Sequence, residues 1–314
     1  MGHGFRWSGA YSLTLRFGLP GNRARRSETT AAVHGTLGSC CNCLVGKQHR
    51  RPYTIQTSAE GLLDRHREFP PKAKYLMDEQ TPVPIVFADR SIVVVDKPGG
   101  MPSVPARTPL DPPAVAAVLA AEWGALEAVH RLDRDTSGLL VLARTAAARA
   151  ALGRALESRR VAKRYLAIAA GVPPAAAGTI HLPLADDSAR PPAKRADPIL
   201  GRRATTQWQV IETIRRGDEL RTLVELEPVT GRSHQLRAHL AWLGCPVDGD
   251  RLYGRERQAS PARLALHAAT LEFPHPDDGR AVRLAAPPVG SPWSDFAAPI
   301  AAWFTSRSVV ALTG

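Results

Sequence analysis

Six consecutive residues, 130–135, contain His130, Arg131, Asp133, Arg134 and Asp135. Two carboxylates, two guanidinium groups and an imidazole can act as acid, base or nucleophile, or hold a developing charge. Directly after them comes Gly138–Ala143, GLLVLA, apolar enough to be a buried strand. Thr136, Ser137 and Gly138 join the two, and residues of this kind make tight, hydrogen-bonded turns. A plain surface turn with its charges in water accounts for Arg134 and Asp135. It accounts less well for a charged loop tied to the core, which is where reacting side chains are commonly fixed. The run Asp135-Thr136-Ser137-Gly138 is near the Asp-Thr-Gly of aspartic proteases. That chemistry needs two carboxylates sharing a proton; no second copy exists, and the glycine is displaced by one.

A second cluster lies in residues 228–254, PVTGRSHQLRAHLAWLGCPVDGDRLYG. A helix capped by Ser233 and running to Leu243 would place Leu236, Leu240 and Leu243 on its buried stripe. Arg237 would then sit at the edge of the core, where an arginine needs an anionic partner. The turn Gly231-Arg232-Ser233 offers helix-start N–H groups to a phosphate. His234 and His239 are five apart, off the i, i+4 spacing of a helical zinc pair, so no metal is assigned.

The elements that must carry these clusters follow from the pattern. Residues 85–87 and 91–98 read as strands around a turn, and 113–123 as a helix with proline near its start. Thr145 can cap a helix to about Arg159. Residues 163–170 alternate as a strand, and a short strand, TIHLPL, interrupts a long connection over 171–204. The strands TTQWQVIETI and LRTLVELEPV form a hairpin, and strands at 264–273 and 281–286 close the pattern. Strands outnumber helices and rarely alternate with them, which predicts an α+β fold with a mixed, mostly antiparallel sheet. No repeat and no nucleotide-binding glycine pattern is found.

The 314 residues suffice for one large domain or two small ones. The net charge is +12, and residues 1–76 carry 12 Lys+Arg against 4 Asp+Glu, leaving 29 against 25 for the remainder. The excess therefore sits mainly in a segment without sustained helix or strand periodicity. Residues 1–76 read as disordered or as translated sequence upstream of a start at Met77. The expected folded domain is 77–304, with a tail at 305–314. A basic chain suits a polyanionic partner, though the folded part is only mildly basic. Cys40, Cys41 and Cys43 lack a second ligand pair, so they read as incidental thiols in a disordered leader. With no signal-peptide pattern and no long apolar run, the expected location is the cytoplasm.

HRLDRDTSGLLVLART resembles the signature of the RluA-type pseudouridine synthases, H-R-L-D-x-x-T-S-G. DKPGGMPSVP (96–105), KRYLAIAAG (163–171), GRSHQLRAHL (231–240), GDRLYG (249–254) and LALHAATLEFPHP (264–276) resemble the other blocks of that family, in its order. HLPLADDSARPPAKR (181–195) is similar to a segment of the RluA subtype. The likeness runs from about 84 to 290; residues 1–76 show none, and lack the small S4 RNA-binding domain of several relatives.

The resemblance implies the pseudouridine synthase fold, with a central cleft, and isomerisation of uridine to pseudouridine in RNA, without cofactor or metal. It implies Asp133 as the catalytic aspartate, Arg237 as the arginine paired with it, and Tyr165 as the tyrosine beside the uracil. It implies that Arg131 fills the space left by a flipped base, and that His130, Arg232 and His234 lie among the RNA-binding motifs. The expected substrate is a stem-loop of 23S ribosomal RNA, an anticodon stem-loop of tRNA, or both, and the expected state is a monomer. Two other readings are weighed against it. A non-catalytic RNA-binding or ribosome-assembly protein of the same fold would have no need of Asp133, Tyr165 and Arg237 together. A glycoside hydrolase or nucleosidase would need a spaced carboxylate pair, and no partner for Asp133 stands out.

Overall fold

The computed structural model describes residues 11–16, 29–33, 83–105, 112–254 and 263–307. In chain order the elements are β1 (Tyr11–Arg16), β2 (Thr29–Val33), β3 (Ile85–Ala88), β4 (Ile92–Lys97), α1 (Val115–Trp123), β5 (Glu127–Ala128), β6 (Ser137–Ala143), α2 (Ala146–Glu157), β7 (Ala162–Ala170), β8 (Ala177–His181), β9 (Leu184–Asp186), β10 (Lys194–Ala196), β11 (Thr205–Arg216), β12 (Glu219–Pro228), α3 (Gln235–Trp242), β13 (Leu266–Pro274), β14 (Ala281–Ala285) and α4 (Ala297–Ser306). The main sheet runs β2-β1-β8-β11-β12-β7-β13-β6-β4-β3, with β14 on β13 and β5 on β6; β9 and β10 form a separate hairpin. Among the described residues only β13–β6 is a parallel pair, so the expected mixed, mostly antiparallel α+β architecture is found.

β6 is buried on both faces, which explains its unbroken apolar run. Leu140 and Leu142 join one hydrophobic layer with Leu166 and Ile168. Leu139 and Val141 join the other, against Leu152 of α2 and Phe273. Thr145 caps α2 as expected, its hydroxyl accepting the Ala148 N–H at 3.1 Å.

The register around Ala268 sets the site. On β13, Ala268 pairs with Gly138 of β6 on one side and with Tyr165 of β7 on the other. A Cβ on Gly138 would lie 2.4 Å from the Ala268 carbonyl oxygen, and its φ is +107°. Glycine is required there on both counts. Tyr165 in turn pairs with Leu226 of β12, two residues before that strand ends and the chain turns toward α3. The start of β6, Tyr165 of β7 and the chain leading from β12 to α3 are thus brought together around Ala268.

Several expectations are corrected. Ser233 does not cap α3. His234 occupies the N-cap position in a left-handed conformation (φ 56°, ψ 14°), without a side-chain cap. The Gln235 amide takes over: its oxygen accepts the Arg232 N–H at 3.0 Å and the Thr230 hydroxyl at 2.7 Å. Arg232's N–H is therefore already engaged within the turn. The long connection over 171–204 holds three strands, because Lys194–Ala196 folds back on Leu184–Asp186. Within residues 1–76, β1 and β2 form strands, β1 pairing with β8 from Ser12↔His181 to Arg16↔Ala177. The alternation of Tyr11, Leu13 and Leu15 with Ser12, Thr14 and Arg16 is the period of a strand. The rest of 1–76, including Cys40, Cys41 and Cys43, and Met77 lie outside the described residues. At the other end, α4 runs to Ser306 and Arg307 pairs with Glu225, so the boundary expected at 304 falls inside a helix. No helix among the described residues is long and apolar enough to cross a membrane.

Two buried imidazoles tie strands together in their neutral form. The His239 ring meets the Thr206 hydroxyl at 2.8 Å and donates to the Leu182 carbonyl at 3.1 Å. His267 accepts from the Ser137 hydroxyl at 2.8 Å and donates to the Ala286 carbonyl at 2.8 Å. Burial lowers each to about 4. Between about pH 6.5 and 4 the unfolded chain therefore binds more protons than the folded one, and stability falls as pH falls. A loss on the order of 1–3 kcal/mol per imidazole is expected. It should appear as a lower urea midpoint at pH 5 than at pH 7; equal midpoints would contradict the neutral assignment.

Candidate active site

The Asp133 loop is braced from both sides by the segment 97–103. The Ser103 hydroxyl donates to the Leu132 carbonyl and accepts the Leu132 N–H, both at 3.0 Å. Lys97 is fully buried, and its ammonium donates to the carbonyls of Pro98, Met101 and Arg134 at 2.8–2.9 Å. Burial pulls Lys97 down to about 7 against the charges of Asp135 and Asp133. Three carbonyl acceptors match the three protons of the charged form. The Gly100 N–H also reaches the Arg134 carbonyl, at 2.9 Å, and the Thr136 N–H bonds back to the Asp133 carbonyl at 3.1 Å. The backbone on either side of Asp133 is thereby fixed, while its side chain keeps 18% of its surface open.

That side chain faces a cleft of about 430 Å³, lined among others by His130, Arg131, Asp133, Lys163, Tyr165, Arg232, His234 and Arg237. This is a normal size for a small-molecule or nucleoside pocket. All seven residues singled out from the sequence line it. Arg237 Nη1 stands 3.5 Å from Asp133 Oδ2.

Arg237 has a nearer partner that the sequence did not reveal. Its Nε and Nη2 donate to the two oxygens of Asp250 at 2.7 and 2.8 Å, with both side chains buried. Asp250 is held in turn by the N–H groups of Leu252 and Tyr253 at 2.9 and 3.1 Å. The Tyr253 ring lies 5.3 Å from the guanidinium. Burial works against the Arg237 charge, but the bonds and charge of Asp250 and the charge of Asp133 outweigh it and hold its pKa above the ordinary arginine value. Arg237 is thus a fixed cation whose remaining nitrogen faces Asp133. Asp250 and Tyr253 lie in the quoted block GDRLYG; their contact with Arg237 spans a turn no spacing rule covers.

The other residues divide by position. Burial, reinforced by the Asp133 charge, raises the Tyr165 hydroxyl above its usual range, so it is a neutral phenol across the physiological range. His130 is turned into the base of its loop. Its Nε2 accepts the Val141 N–H at 3.3 Å, and burial keeps it neutral. Arg131 is exposed at the cleft. Arg232 donates to the Arg203 carbonyl at 3.1 Å. His234 meets the Tyr253 hydroxyl at 3.1 Å, and burial lowers its pKa. Lys163, two residues before Tyr165 on the same face of β7, adds a cation that burial lowers to about 8. Among the described residues no group of His, Cys, Asp and Glu is arranged to hold a metal ion.

The family model described as RNA pseudouridylate synthase matches residues 91–242. The chain is 40% identical over 196 residues to the dual-specificity RNA pseudouridine synthase RluA of Yersinia pestis, covering 62% of this chain and 94% of that protein. The chain belongs to the RNA pseudouridylate synthase family. It is accordingly an RNA-modifying isomerase. The RluA protein of Escherichia coli K12 is 39% identical over 204 residues, 65% of this chain and 92% of its own length. Among solved structures, human RNA pseudouridylate synthase domain containing 1 is similar with a TM-score of 0.58 and 31% identity, over 66% of this chain and 84% of that one.

Proposed function

We propose that this pseudouridine synthase carries out its isomerisation in the cleft at Asp133, with Arg237 and Tyr165 as partners, on uridines in structured RNA loops. In the reaction the N1–C1′ bond breaks, the uracil turns, and C5 joins C1′; N1 gains a proton and C5 loses one. Breaking the bond leaves C1′ electron-poor, and an ionised carboxylate beside it meets that need. It does so by attack on C1′, by removing the C2′ proton, or by its charge. The Arg237 cation, anchored by Asp250, stands 3.5 Å from the Asp133 carboxylate and orients it toward the cleft. The Tyr165 ring can stack on the uracil, and its neutral hydroxyl can relay the C5 proton. Arg131 at the cleft is placed to fill the space of the flipped base and to hold a phosphate. The single observation that carries the reading is that the braced Asp133 and the anchored Arg237, 3.5 Å apart, share one cleft with Tyr165.

Similarity to dual-specificity enzymes supports two RNA targets. We assign these as a stem-loop of large-subunit ribosomal RNA and a tRNA anticodon stem-loop sharing a short sequence, met by a monomer in the cytoplasm. Carbodiimide mapping of pseudouridine in total RNA, from cells with and without this gene, tests the assignment. Sites lost in both RNA classes and restored by the gene support it; no lost site contradicts it.

Tyr165→Phe keeps the ring and removes the hydroxyl. It should lower single-turnover conversion about a hundredfold, with RNA affinity within about threefold. An unchanged rate would restrict Tyr165 to stacking.

A further inference from the structure

The turn between β10 and β11 presents two large apolar side chains to water: Ile199 is 71% exposed and Leu200 75%. The backbone beneath them is tightly held. The buried Asp197 carboxylate accepts the N–H groups of Ile199 and Leu200 at 3.1 and 2.9 Å, and Arg195 donates to it at 2.9 Å. The Asp197 carbonyl accepts the Gly201 N–H at 2.9 Å. A Cβ on Gly201 would fall 2.1 Å from that oxygen. Arg202 is clipped to Leu184 by reciprocal backbone bonds at 2.9 and 3.0 Å. A loose loop could tuck such side chains away; this turn cannot. Enforced apolar exposure marks a surface that something covers.

The surroundings indicate what covers it. Arg202 and Arg203 are exposed and, among the described residues, neither has a carboxylate partner. The nearby acids are engaged: Asp186 by Lys194, Asp187 by Arg190, Asp197 by Arg195. Apolar tip and free cations together suit unstacked bases and their phosphates. The surface also continues into the cleft, because Arg232, which lines it, donates to the Arg203 carbonyl at 3.1 Å. Arg203 lies four positions after Ile199, about 14 Å at most. That is a span of roughly four stacked nucleotides.

We infer that the Ile199–Leu200 turn is a second RNA contact, an apolar wedge on which bases flanking the target uridine pack while Arg202 and Arg203 hold the adjacent phosphates. This rests on the proposed function for the identity of the ligand. The test uses the full chain, the mapped stem-loop, and a fragment of it trimmed to the uridine and its immediate neighbours. Ile199→Ser/Leu200→Ser should raise KM for the stem-loop about tenfold at unchanged kcat, and leave turnover of the fragment unaltered. Arg202→Gln/Arg203→Gln should flatten the dependence of log KM on log salt by about one to two units of slope. Stem-loop binding by fluorescence anisotropy reads the same losses without turnover, so a failure of the wedge is distinguishable from a failure of the catalytic assignment. Unchanged stem-loop affinity in the serine variant overturns the inference. So does light scattering that shows a wild-type dimer and a serine-variant monomer, which would assign the tip to a second copy of the chain.

Discussion

Asp133→Asn should reduce pseudouridine formation at least about a thousandfold while RNA affinity changes less than about threefold. The amide keeps the size of the side chain and removes its charge, its nucleophilicity and its basicity at once. The fold should survive, because the loop is held through backbone groups of Leu132, Arg134 and Thr136 and through Ser103 and Lys97, none of which uses the Asp133 carboxylate. Arg237 also keeps its two bonds to Asp250. Loss of turnover with retained binding, measured on one stem-loop, therefore reports chemistry rather than unfolding. A non-catalytic RNA-binding protein of this fold would instead show no product from the wild-type chain and equal binding by both.

Asp250→Ala should be the most damaging change outside residue 133. It leaves a buried guanidinium without its bidentate partner, which costs about 3–5 kcal/mol. It also frees Arg237 from the geometry that aims Nη1 at Asp133, so turnover should fall about a hundredfold under conditions where the variant is folded. The paired change Arg237→Met/Asp250→Leu separates the two effects. Replacing both charges with apolar groups should return much of the lost stability, while turnover stays low because the Arg237 cation is gone. Chemical denaturation alongside single-turnover assays checks both. Restored activity in the double variant would remove Arg237 from the account.

What could be read beforehand has a physical pattern. Local features were legible. The unbroken apolar run of β6, the Thr145 cap and the hairpin of β11 and β12 follow from neighbours in the chain. Asp133, Tyr165 and Arg237 were reached through motif blocks, since nothing in the periodicity of KRYLAIAA distinguishes Tyr165 from a core tyrosine. Partners joined across the fold were not legible. Lys97 and Ser103 lie within DKPGGMPSVP, yet their task is to grip the carbonyls of Leu132 and Arg134 some thirty residues on. Asp250 meets Arg237 only after the chain turns back past α3. Ser233 has the residue type of a cap, but the Gln235 amide reaches the same turn and satisfies it from inside the helix. The last helix was hidden by the prolines around it, although Pro299 sits in its first turn, where no N–H is needed.

The most direct measurement is the crystal structure of the Asp133→Asn chain with a stem-loop containing the mapped uridine. That uridine should lie flipped into the cleft, its C1′ within about 3.5 Å of the residue 133 side chain and its ring against Tyr165. A target ribose bound away from residue 133, with Arg237 turned to another group, would contradict it.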